Sequence, residues 1–227
     1  PSHGLMVHGE LGIGPCEVVT TSGVCVSGMT SLKYASLAVA SRQSRLAVAT
    51  GSENPSSAMR ASYLEPRAEP TADGIEADPL LAFDQEFLRW MLSDGAGAAA
   101  LAPEPLPGRL ALRVEWIEIV SHAGHAETCM YWGARKREDG TLQGWRDPEV
   151  AADPKGSGLF NLSQDVKLLG RDAGRLTIDE TLPAIRRKHG IAPGDVTWFL
   201  PHYSSAYFRQ EVYDRFAAVE TAPSAAA

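Results

Sequence analysis

The chain has 227 residues and a net charge of −7, so it lacks the basic footprint that holds nucleic acid. Its 44% hydrophobic and 22% charged residues suit an ordinary globular protein, large enough for one big domain or two small ones. Apolar runs break off well before ~18 residues, which excludes a membrane-spanning helix. Pro1-Ser2-His3 has neither an initiator Met nor the charged start of a signal peptide, so the chain is expected to begin inside a longer protein. Three cysteines without metal-type spacing argue for a reducing, cytoplasmic compartment and against a disulfide framework.

Residues 2–11 can form a helix that Gly4 and Gly9 weaken, and Gly12, Gly14 and Pro15 then make a turn. Glu17 to Thr20 reads as a short buried strand, Val26 to Ser41 as a buried helix and Arg45 to Thr50 as a second strand. Strand, helix and strand in this order predict a βαβ unit and a parallel sheet. A short helix is expected within 51–64, an exposed loop over 65–79 and a strand at 98–101. Three prolines between Pro103 and Gly108 mark a linker, 103–109, between an N-terminal half, 1–102, and a C-terminal half, 110–217.

In the second half, Leu110 to Ser121, alternating from Arg113 to Ile119, reads as a half-exposed strand, with another at Met130 to Trp132. Arg135 to Gly158 reads as a long surface insertion. Helices are predicted over 162–169 and 176–188, the second kinked at Pro183 and stopped by Gly190. Asp195 to Leu200 reads as a strand, and Ser204 or Ser205 caps a helix running to about Ala217. The tail, 218–227, is expected to be frayed.

Cys25 is the residue on which the chemistry turns. It is placed between a strand and a helix, where unpaired backbone N–H groups and the helix dipole favour a thiolate. A nucleophilic cysteine needs an imidazole or base, and His202 is the best placed histidine, just after a predicted strand and before a helix. Cys16 and Cys129 are expected to be buried free thiols. His122 and His125 suggest metal ligation but lack a third ligand at telling spacing, so no metal is assigned. His3, His8 and His189 read as structural or exposed. Gly95 and Gly97 are not a dinucleotide fingerprint, because position 100 is Ala and a strand follows.

Four segments, Val24-Cys25-Val26-Ser27-Gly28, Gly51-Ser52-Glu53, Ser93-Asp94-Gly95-Ala96-Gly97-Ala98 and Trp198-Phe199-Leu200-Pro201-His202, together resemble the thiolase-fold condensing enzymes. The likeness is to the β-ketoacyl-ACP synthase III group, and Thr128 to Pro148 with Pro201 to Ser205 resembles its dialkylresorcinol-forming branch. The resemblance implies an α/β fold of two pseudo-repeated halves, with mixed five-stranded sheets sandwiching buried helices in αβαβα layers. It also implies a homodimer, with Arg45 to Thr50 as the candidate interface edge.

The implied reaction is condensation of an acyl thioester, on CoA or an acyl carrier protein, with a malonyl- or β-ketoacyl-thioester. Cys25 matches the family nucleophile and His202 the histidine of the second step, with no cofactor. The family's Asn, in a Gly-Asn segment beyond that histidine, has no counterpart after His202, and neither Asn54 nor Asn161 takes its place. The Gly-rich loop with the second oxyanion donor and the first strands of the N-terminal half are also missing. The 227 residues are therefore expected to be a fragment, not competent alone. Two other readings stand beside this one: a non-catalytic acyl-binding or partner subunit, and a cysteine thioester hydrolase.

Overall fold

Small side chains let a helix lie directly on a sheet, and the first part of the chain is built that way. The computed structural model describes residues 2–57, 59, 88, 91–105, 107–153, 159, 162–203 and 205–221. It divides into two units, Pro1–Pro55 with Ser93–Ile119 and Ser56–Leu92 with Val120–Ala227, and each is described by itself.

In the first unit, helix α1 (His3–Leu11) ends at Gly12, whose φ of 59° suits a residue without a Cβ. Helix α2 (Ser27–Ala40) buries Ala35, Ala38 and Val39. It packs on strands β1 (Ala47–Glu53) and β2 (Gly95–Leu101). A Cβ added at Gly51 in β1 would lie 3.7 Å from the Gly28 Cα of α2, so the two backbones run close together.

The strands pair antiparallel, from Ala47 opposite Leu101 to Glu53 opposite Gly95. The parallel βαβ unit expected from the sequence is therefore not formed. Residues 17–20 join no sheet and are held by side chains instead. Glu17 accepts from the Tyr34 hydroxyl at 2.5 Å and from Gln43 Nε2 at 3.0 Å. The Gly4 N–H donates to Thr20 Oγ1 at 3.1 Å. A Cβ on Gly4 would lie 2.8 Å from that oxygen, so the glycine that costs helix propensity is what admits the contact.

Among its described residues the second unit has helices and two short sheets. Strand β3 (Met130–Tyr131) pairs antiparallel with β6 (Ser163–Gln164), and β4 (Ala134–Lys136) pairs antiparallel with β5 (Leu142–Gly144). The β4–β5 hairpin lies inside the expected surface insertion. Its turn is closed by Asp139 Oδ1, which accepts from the Thr141 N–H at 3.0 Å, and by Gly140 at φ 82°. Helix α3 (Pro148–Ala152) follows, capped by Asp147 and anchored by buried Val150.

Helix α4 (Val166–Gly174) is capped by Asp165, which accepts from the Leu168 N–H at 2.9 Å. It continues into a π-helical stretch, Arg175–Thr181, and then α5 (Leu182–His189), ended by Gly190 at φ 66°. Pro183 has no N–H to give the carbonyl four residues back, and the wider turns precede it. Ser205 Oγ accepts from the Tyr207 N–H at 3.0 Å and opens a turn that leads into α6 (Arg209–Thr221).

The mixed α/β class holds. The five-stranded mixed sheets do not: among the described residues the sheets are two-stranded and antiparallel. The strands predicted at 110–121 and 195–200 join no ladder. Leu110 is 93% exposed and Leu200 86% exposed, since an apolar extended segment becomes a strand only through a partner. The loop predicted at 65–79 and the part of 51–64 beyond Ser57, apart from Met59, lie outside the described residues, as does the end of the tail after Thr221. None of the described helices is long and apolar enough to cross a membrane.

Candidate functional site

Cys25 is exposed and lies in a single tight turn, Val24–Val26, that runs straight into α2. Gly23 is extended at φ 162°, and Val24 follows at φ 52°. A β-branched residue in the left-handed region is strained, and such strain persists only where the surroundings impose it. Here they do. The Val26 N–H donates to Gly23 O at 3.1 Å, Ser27 Oγ donates to Val24 O at 2.7 Å, and Thr21 Oγ1 donates to Ser27 O at 2.9 Å. A Cβ on Gly23 would fall 2.8 Å from Val26 Cγ1, so a side chain there would push the turn apart.

Three of the four motif segments meet in this unit. The turn carrying Cys25 leads into Gly28, Gly28 lies against Gly51, and Gly51 pairs with Gly97. Ser52 Oγ shares a hydrogen bond of 2.6 Å with His3 Nε2, which ties α1 to β1. Sequence reasoning placed His3 among the structural or exposed histidines; no local pattern points to a partner 49 residues away.

His202 is exposed and belongs to the second unit. The strand expected before it is absent, so it lies on irregular chain shortly before the Ser205-capped turn, beyond Trp198 and Leu200, both more than 80% exposed. Cys25 and His202 thus belong to different units.

The other cysteines divide. Cys16 is exposed, contrary to the buried thiol expected, because the glycine-rich turn before residue 17 packs under no element. Cys129 is partly buried, and its S–H donates to the Asp165 carbonyl at 3.3 Å. Burial pushes its thiol pKa up, which makes it a poor nucleophile.

His122 and His125 stand side by side on a tight turn, and the structure adds what the sequence lacked. Glu180, from the π-helical stretch, brings a carboxylate oxygen within 4.8 Å of a nitrogen of each ring. No family model and no curated protein matches the sequence.

Proposed function

We propose that this chain carries the acyl-accepting part of a condensing acyltransferase of the thiolase type, which joins an acyl thioester to a malonyl- or β-ketoacyl-thioester. One observation carries the reading most. The segments 24–28, 51–53 and 95–98, distant in sequence and quoted together for the resemblance, assemble around a strained turn that presents an exposed cysteine.

The chemistry follows from that placement. The Cys25 thiolate attacks the carbonyl of an acyl-CoA or acyl-carrier thioester, and the carrier thiol leaves with a proton. Cys25 sits in the turn that runs into α2, and its N–H is one donor to the oxyanion. In the second step a malonyl thioester loses CO2, and the carbanion equivalent attacks the acyl-cysteine. A carbon–carbon bond forms and Cys25 leaves as thiolate. The resemblance assigns His202 to hydrogen-bond the developing enolate oxygen. The homodimer belongs to this same proposal.

Incubation with an acyl-CoA followed by intact-mass and peptide analysis tests it. The expected result is one acyl group on Cys25, absent in Cys25→Ala and unaffected by Cys16→Ala. A folded protein that binds acyl-CoA without any adduct would overturn the enzymatic reading in favour of an acyl-binding subunit. Release of free acid with no condensed product in the presence of malonyl-CoA would make it a thioester hydrolase.

A further inference from the structure

We propose that His122, His125 and Glu180 form a binding site for a divalent transition-metal ion of the zinc type, with Thr181 as its positioning residue. The site lies within the second unit and is independent of the acyl-transfer reading.

The turn comes first. His125 and Ala126 both donate their backbone N–H to His122 O, at 3.0 and 2.9 Å, which folds the two histidines onto one side. Their rings stand nearly perpendicular, at 89°, with His122 Nδ1 facing His125 Nε2 at 3.4 Å. That spacing is long for a hydrogen bond, which runs to about 3.2 Å. It is the right spacing for two ligands of one ion: nitrogens ~2.0–2.1 Å from a tetrahedral zinc lie ~3.4 Å from each other.

The tautomer of a neutral His122 is set from the other side of its ring. Thr181 Oγ1 donates its only hydrogen to Leu176 O at 2.6 Å, five residues back in the π register. The same oxygen lies 2.7 Å from His122 Nε2, so it accepts the N–H there. In that tautomer the lone pair is on His122 Nδ1, which faces His125. Histidine ligands of metals characteristically donate their second N–H to an oxygen in this way.

Glu180 supplies the third ligand. One of its oxygens, Oε1, accepts from Arg175, and a carboxylate has a second to offer. Glu180 is exposed, so side-chain rotation can bring its oxygen, already within 4.8 Å of both ring nitrogens, to ligating distance. The π-helical stretch matters here, because it sets Glu180 and Thr181 side by side against the same pair of histidines. Two imidazoles and a carboxylate form the donor set of three-ligand zinc sites, and the exposure of His125 and Glu180 leaves the fourth position to water.

The test is titration of the full chain, stripped with chelator, with Zn²⁺ by calorimetry and with Co²⁺ by visible absorption. One equivalent is expected to bind. His125→Ala and Glu180→Gln, both at exposed positions, are each expected to weaken binding more than 10-fold with an unchanged far-ultraviolet circular dichroism spectrum. Thr181→Val is expected to weaken it by about 10–100-fold, with recovery in Thr181→Ser. Equal binding by the wild type and a His122→Ala/His125→Ala double variant would overturn the proposal. So would a sulfur-to-cobalt charge-transfer band, which would place the ion on cysteine.

Discussion

The two units are held by different physics. In the first, Ala35, Ala38 and Val39 of α2 and Ala49 of β1 are buried, and glycines bring the helix onto the sheet. An ion pair there, Arg113 with Glu115, is on the surface and mostly exposed. In the second, charges sit at the joints. Lys136 bridges Glu127 and Asp165 at 3.1 and 3.5 Å, Asp172 holds Arg171 and Arg175, and Arg215 joins Asp179 to Glu211. Arg186 and Glu220, their side chains 7% and 18% exposed, pair at 2.6 Å and tie α5 to α6. Burying methyl groups gives a contact without direction. Burying charge gives one that requires its partner.

The difference can be broken most severely at Glu220. It accepts from Arg186 Nη1 and from the Gly194 N–H at 2.8 Å, while Arg186 Nη2 is buried without a partner. Glu220→Ala leaves a buried guanidinium uncompensated and is expected to cost about 3–5 kcal/mol. Hydrogen exchange checks it: protection should fall across α5 and α6 and stay unchanged in α2. Next is Gly4→Ala, which should gain helix propensity yet lose about 1–3 kcal/mol, because the new methyl meets Thr20 Oγ1 at 2.8 Å. Urea unfolding with Gly9→Ala as the control, where nothing lies within 4 Å, separates the clash from the propensity gain. Ser205→Ala removes the cap at the entrance to α6 and should cost about 1 kcal/mol, read from the same urea midpoints.

The smallest effect is one of pH. Hydrogen bonds from Arg171 and then Arg175 hold the Asp172 carboxyl well below the usual range, at about 2. A depressed carboxylate pKa stabilises the fold above its unfolded value of about 3.9, and the contribution is lost as pH falls through about 2. In Asp172→Asn that dependence disappears, so the stability gap between wild type and variant should narrow from pH 4 to pH 2. A constant gap across that window would show that Asp172 acts by packing alone.

Much of the helical structure was legible because its signals are local. The small-residue run of α2, Ser205 as a cap, Gly190 as a stop and Pro183 as an irregularity each act within about one helical turn. The Asp139-Gly140 pair carried a hairpin signal as well, yet the charged residues around it read as a plain insertion. Residues 17–20, 110–121 and 195–200 read as strands because their composition favours extended chain, but composition names no partner. At the site, Cys25 at the entrance to a helix was legible for the same local reason. The strain at Val24 was not, since a left-handed valine violates the preference a reader would apply.

What the sequence alone determined is roughly where α1, α2, α5 and α6 lie, together with a cysteine at the head of one of them, while α3 and the bounds of α4 escaped it. Only the tertiary structure decided that β1 pairs antiparallel with β2, that Gly4 is needed for contact, and that Glu180 and Thr181 come to His122, 59 residues from Thr181. Side-chain periodicity reports which face a residue takes along its own segment. It holds no information on which distant segment will lie against that face, and Glu180 and Thr181 reach the two histidines only through such a meeting.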